Sequence, residues 1–238
     1  MFGATTIATL SLAALGAAMP ASEPVNRLEA RAVSDVYRPY RGDGSTGAGW
    51  PAQSAWGSFD EIWGINAPVM KNTCGWNGWG ADNSDTEIAG VRSAILQVAG
   101  ETGVDARFIL TIVMQESKGC VRAPTTNNGV VNPGLMQSHN GAGSCAGVNP
   151  CPQSQIVQMI RDGTAGTSSG DGLRQTLNKA TAVTGNNARA YYAAARMYNS
   201  GSVDYSNLNN GFTSTACYSQ DVANRFTGWI LAPGNCQL

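Results

Sequence analysis

Apolar residues recur at helical spacing from residue 84 onward and show little such order before it. Ser84-Asp85-Thr86-Glu87 reads as a capping box, and Ile88, Val91, Ile95 and Val98 follow on one helical face. Asp105 is placed to cap a second helix over DARFILTIVMQES (105–117), which is nearly all apolar and carries Glu116 in its last turn. Pro152 suits the first turn of another helix, ahead of Ile156, Val157 and Ile160. Residues 163–172 (GTAGTSSGDG) read as a flexible connector, with glycines too irregular, and no following lysine, for a phosphate loop. Further helices are expected over 173–180, 187–198 and 218–230. No strong alternation marks a strand, and at most 127–137 supplies short extended segments. The pattern predicts a mainly α fold.

Residues 32–82 have a different texture. Trp50, Trp56, Trp63, Trp76 and Trp79 stand among Gly, Pro, Ser and Asn, which predicts an irregular, Trp-rich arm anchored by its indoles. Ahead of it, residues 4–18 (ATTIATLSLAALGAA) form an apolar run too short and too rich in small residues for a stable span. Segment 1–18 therefore reads as a signal peptide, with a cut after Ala18 or Ala21, and 19–31 as a propeptide ending at Arg31. A retained disordered arm is the alternative. The organisation expected is thus signal 1–18, propeptide 19–31, arm 32–82 and a helical domain 83–238.

Composition narrows the function classes. Lys+Arg 15 against Asp+Glu 16 leaves a net charge of −1, without a basic run, which argues against a nucleic-acid or membrane-surface partner. Six cysteines behind an export signal imply disulfides, with no C-x-x-C and a single histidine, His139, to support a metal site. No metal and no cofactor are expected. Cys145 and Cys151 bracket a short loop and are expected to pair. Cys217–Cys236 would then staple the last helix and Cys74–Cys120 would tie the arm to the end of the Glu116 helix, although fifteen pairings are formally open.

Glu116 carries the chemistry. Ile109, Ile112 and Val113 share its side of the helix, and both desolvation and the negative helix end disfavour its ionised form. A carboxyl that keeps its proton near neutral pH can act as a general acid. Glu116-Ser117 is followed by Gly134-Leu135-Met136-Gln137 and later by Met197-Tyr198-Asn199-Ser200-Gly201. That ordered set, with Tyr218 and Val222 in the last helix, resembles the lytic transglycosylases and goose-type lysozymes of glycoside hydrolase family 23 over roughly residues 86–232.

The resemblance implies a lysozyme-like α+β catalytic domain in a secreted, monomeric glycosidase. Its partner would be the glycan strands of peptidoglycan, cut at the β-1,4 bond between N-acetylmuramic acid and N-acetylglucosamine. Glu116 would be the acid, with Ser117, Gln137, Tyr198 and Asn199 on the substrate. The acidic residues that such lysozymes carry near the GLMQ motif fall here at Asn128 and His139, neither a carboxylate, and no Asp or Glu lies between Glu116 and Asp162. Both are expected, at most, to position water. The absence leaves open a lytic transglycosylase that releases 1,6-anhydromuropeptides. A chitin-active or a non-catalytic glycan-binding relative are further alternatives, the tryptophans then offering stacking faces for sugar rings.

Overall fold

The computed structural model describes residues 1, 3, 33–127 and 129–236. Contacts divide the chain after Ala30, and the helices and strands of the described residues all fall in the unit Arg31–Leu238. Apart from two isolated positions, the expected signal peptide and propeptide lie outside the described residues, as does Asn128.

Eight α-helices are present among the described residues: α1 Phe59–Met70, α2 Thr73–Trp76, α3 Asp85–Thr102, α4 Ala106–Glu116, α5 Gln153–Ala165, α6 Leu173–Thr184, α7 Ala188–Ser200 and α8 Tyr218–Phe226. Two short strands, β1 Thr126–Asn127 and β2 Val131–Asn132, pair antiparallel with Thr126 opposite Asn132. The fold is mainly α. None of the described helices is long and apolar enough to cross a membrane.

The core is built around α4. Every residue from Phe108 to Met114 is buried, so this helix is apolar on all sides and its neighbours close around it. α3, α1 and α8 pack against it, while α6 and α7 form a close pair joined to α8. Ala190, Ala193, Ala194 and Ala195 of α7 are buried, and their small side chains permit that close approach. Local signals set the helix ends. Ser84 and Glu87 form the reciprocal capping box of α3, Asp105 accepts the Arg107 amide at the start of α4, and Asn187 caps α7.

Part of the arm departs from its expected irregularity. Residues 33–58 hold only two 3-10 turns, but α1 follows as a full helix with its own capping box, Ser58 and Glu61. Pro68 inside it and Asn66 on its buried face disguise the period in the sequence. Asn66 donates its amide NH2 to the Ile62 carbonyl at 2.8 Å, while its buried Oδ1 has no partner among the described residues. The carbonyl facing Pro68 belongs to Gly64, which has no side chain. Two smaller shifts concern α5, which continues through Ala165 into the expected connector, and Pro152, which is the N-cap residue rather than the first helical one.

Two indoles of the arm, Trp50 and Trp56, act as anchors, whereas Trp76 is exposed. Trp56 stacks on Phe226 with ring centres 3.8 Å apart and donates to the Tyr192 hydroxyl at 2.8 Å. Trp50 is buried beside Tyr40 and Tyr192 and donates to the Arg41 carbonyl. Disulfides Cys74–Cys120, Cys145–Cys151 and Cys217–Cys236 complete the framework, and all six cysteines are paired. The first ties α2 to the turn just beyond α4.

Candidate active site

α4 ends abruptly after Glu116. Ser117 is its C-cap, and Lys118 and Gly119 turn back through the left-handed region at φ 54° and 76°. A side chain at Gly119 would lie 2.6 Å from Met70, so only glycine fits that turn. Glu116 is thereby left half-buried on the wall of a cleft of about 1240 Å³. Thr126 and Asn132 of the strand pair, Val130 of the turn between them, Gln137, His139, Asp171 and residues of α6 and α7 line the rest, together with 213–215.

Burial pushes the Glu116 carboxyl up to about 7, while a hydrogen bond from Tyr218 and the charge of Lys118 pull the other way. The Tyr218 hydroxyl donates to Glu116 Oε1. Burial, then the Glu116 charge, holds that phenol well above its usual range, so it stays a donor. Tyr218 sits on α8, more than a hundred positions away, and the sequence placed it in the family pattern without assigning it a site role. Nearby, Lys118 is pushed down to about 8, chiefly by burial.

The last turn of α4 is also braced from behind. Gln115 donates to Asp221 at 3.1 Å and accepts from Arg225 Nε at 2.8 Å, and Tyr37 donates to the other Asp221 oxygen at 2.7 Å. These bonds lock the residue preceding Glu116 to α8 and to the arm.

Three of the expected substrate contacts line the cleft: Gln137, Tyr198 and Asn199. Each is also engaged by the protein. Gln137 donates to the carbonyls of Pro124 and Gly134 and accepts from Thr126 at 2.9 Å. Tyr198 donates to the Met136 carbonyl at 2.8 Å, and Asn199 accepts from Arg196. Leu135 and Met136 are fully buried beneath this floor. Gly134 is required there, because a side chain would lie 2.4 Å from Met159 Sδ.

Ser117 is a correction. Its side chain is fully buried and the residue does not line the cleft. Its hydroxyl reaches the Val113 carbonyl at 3.0 Å and the Leu135 carbonyl at 2.8 Å, and accepts the Gly119 amide. It ties the end of α4 to the Gly134–Gln137 turn, so its position beside Glu116 serves geometry rather than substrate.

Of the two expected water-positioning groups, His139 is exposed on the cleft and Asn128 lies outside the described residues. A carboxylate that the sequence left unassigned joins His139: Asp171, from the connector before α6, lines the same cleft and pairs with Lys179. The connector is brought in by close backbone packing. A side chain at Gly170 would lie 2.6 Å from His139 Cβ, and Thr167 donates to the His139 carbonyl at 2.7 Å. Asp162, the other acid of this region, is buried and accepts from the Ala142 and Gly143 amides. Among the described residues no tryptophan lines the cleft. Among the same residues, no group of three or more His, Cys, Asp or Glu side chains is placed to hold a metal ion.

No protein-family model matches the sequence, and no curated protein matches it.

Proposed function

We propose that this chain is a secreted glycosidase that cleaves the β-1,4 bond between N-acetylmuramic acid and N-acetylglucosamine in peptidoglycan, with Glu116 as general acid. The observation that carries the reading is a carboxyl raised to about 7 on the wall of an open cleft of about 1240 Å³. Glycoside cleavage needs a proton on the departing oxygen while positive charge develops at the anomeric carbon. Glu116, kept partly protonated at neutrality by its burial, supplies that proton, and Tyr218 holds the carboxyl in one orientation. Its other supports are the ordered motif residues on the same cleft and three disulfides, which suit an oxidising, extracellular setting.

The fate of the intermediate favours hydrolysis. Asp171 and His139 share the cleft with Glu116, and either can orient or accept a proton from water. Glu116→Gln tests the assignment. The amide keeps the shape but cannot donate the proton, so lysis of bacterial walls should fall at least about a hundredfold in a chain with unchanged circular dichroism. Substantial lysis by that variant would remove Glu116 from the chemistry.

A further inference from the structure

Four residues other than glycine adopt positive φ among the described residues: Lys118, Gln137, Asn140 and Phe212. Of the first three, Gln137 lines the cleft, while Lys118 and Asn140 lie beside cleft residues in sequence, next to the Glu116 helix end and His139. Phe212 is the fourth. At φ 54° it is a bulky side chain in a conformation that glycine or asparagine takes at far lower cost. Core packing does not offset that strain, because Phe212 is 51% exposed and stands outside the core, whereas Phe59, Phe108 and Phe226 all pack on it.

The segment around it is firmly built. Asn209 donates to the Tyr40 carbonyl at 2.9 Å, and Asn210 accepts the Phe212 amide at 3.1 Å. The Ser214 amide closes a turn on the Gly211 carbonyl at 2.7 Å, and a side chain at Gly211 would lie 2.5 Å from the Ser214 carbonyl oxygen. The buried guanidinium of Arg196 donates to the Thr215 and Ala216 carbonyls. This same segment supplies Thr213, Ser214 and Thr215 to the cleft wall. A rigid turn at the lip of the cleft therefore presents a phenyl ring to solvent in a strained backbone, the combination expected where strain serves binding.

We infer that Phe212 forms an outer subsite, stacking on the apolar face of a pyranose ring in a β-1,4-linked N-acetylhexosamine strand that runs beyond Glu116. The ring hydroxyls of such sugars are equatorial, so the axial C–H faces are apolar and suit an exposed aromatic face. The inference rests on the glycan reading of the cleft. It adds a length preference, since only strands long enough to reach the lip gain the contact.

The test measures binding to the full chain carrying Glu116→Gln, so that bound strands persist. The probes are short and long N-acetylglucosamine oligomers and, separately, short and long glycan strands alternating N-acetylglucosamine with N-acetylmuramic acid. Adding Phe212→Ala should weaken the long strands about tenfold and the short ones less, with Phe212→Trp restoring affinity. The series that carries this length-dependent loss identifies the strand. Phe212→Gly should melt no lower than its parent, because glycine relieves the left-handed strain. Equal binding by parent and Phe212→Ala at every length overturns the subsite while leaving the glycan reading intact. A Phe212→Gly chain that melts several degrees lower assigns the ring to packing and overturns it too. A parent that binds neither series removes the glycan reading, and the subsite falls with it.

Discussion

Glu116 titrates between two opposing influences, and each yields a measurement. Burial lifts its carboxyl from 4.5 to about 7, so activity that needs the protonated form should fall as pH rises through about 7. A rate flat from mild acid to alkaline pH would dispose of the protonated carboxyl. Tyr218 acts in the other direction, since its hydrogen bond favours the ionised form. Tyr218→Phe should therefore move the alkaline limb of the pH–rate profile to higher pH. A limb that stays or moves down would show that the phenol does not tune the acid. Stability follows the same linkage. Below 4.5 both folded and unfolded chains hold the proton, while above it the unfolded chain releases it first. Stability thus declines with rising pH and levels off above about 7. Glu116→Gln removes this penalty, so the variant should be more stable than wild type at pH 8 by on the order of 2 kcal/mol, allowing for partial exposure of the carboxyl, and by little at pH 4. Urea melts at the two pH values check both the sign and the window.

At the scale of elements, the sequence was most legible where local chemistry decides the outcome. Capping by Ser84 and Glu87 and by Asp105 marked the starts of α3 and α4, and the all-apolar stretch of α4 marked the buried centre. α1 was not legible, because Pro68 and Asn66 interrupt its period and only backbone geometry shows how both are accommodated. Site members contributed from remote elements were also hidden. Tyr218 reaches Glu116 from α8, and Asp171 arrives on a connector held by glycine-close packing against His139. Nothing near either residue in sequence signals that meeting. Ser117 shows the converse, a residue adjacent to the acid whose hydroxyl faces the backbone instead. Ser117→Ala strands buried groups at the junction of α4 and the Gly134–Gln137 turn, so it should destabilise by about 1–2 kcal/mol. The KM for peptidoglycan should stay at the wild-type value. A raised KM with unchanged stability would return Ser117 to the substrate.

For the whole molecule, the cleft is where the end of α4, the strand pair, α6, α7 and the 213–215 segment converge, and its catalytic outcome depends on what those separate elements bring. On the proposed reading, Glu116 supplies the acid from the end of the core helix. The opposing requirement, a group to deal with water, had no carboxylate near Gly134–Gln137 in the sequence, which left intramolecular capture by the muramic-acid 6-hydroxyl as a rival to hydrolysis. The fold changes that balance by adding Asp171 to the cleft that already holds His139. Asp171 is paired with Lys179, which orients its carboxylate, and both lie on the solvent-accessible side where water is abundant. On the proposed reading these two groups are the candidates to handle water for hydrolysis, whereas transglycosylation requires that water be kept from the intermediate. Mass spectrometry of digested peptidoglycan separates the two, because an anhydro product is lighter than a reducing-end product by one water. Reducing muropeptides should predominate, and Asp171→Asn or His139→Ala should lower the rate while raising the anhydro share. Predominantly anhydro products from the wild type, unaffected by either substitution, would make the enzyme a lytic transglycosylase and leave Asp171 as a surface ion pair.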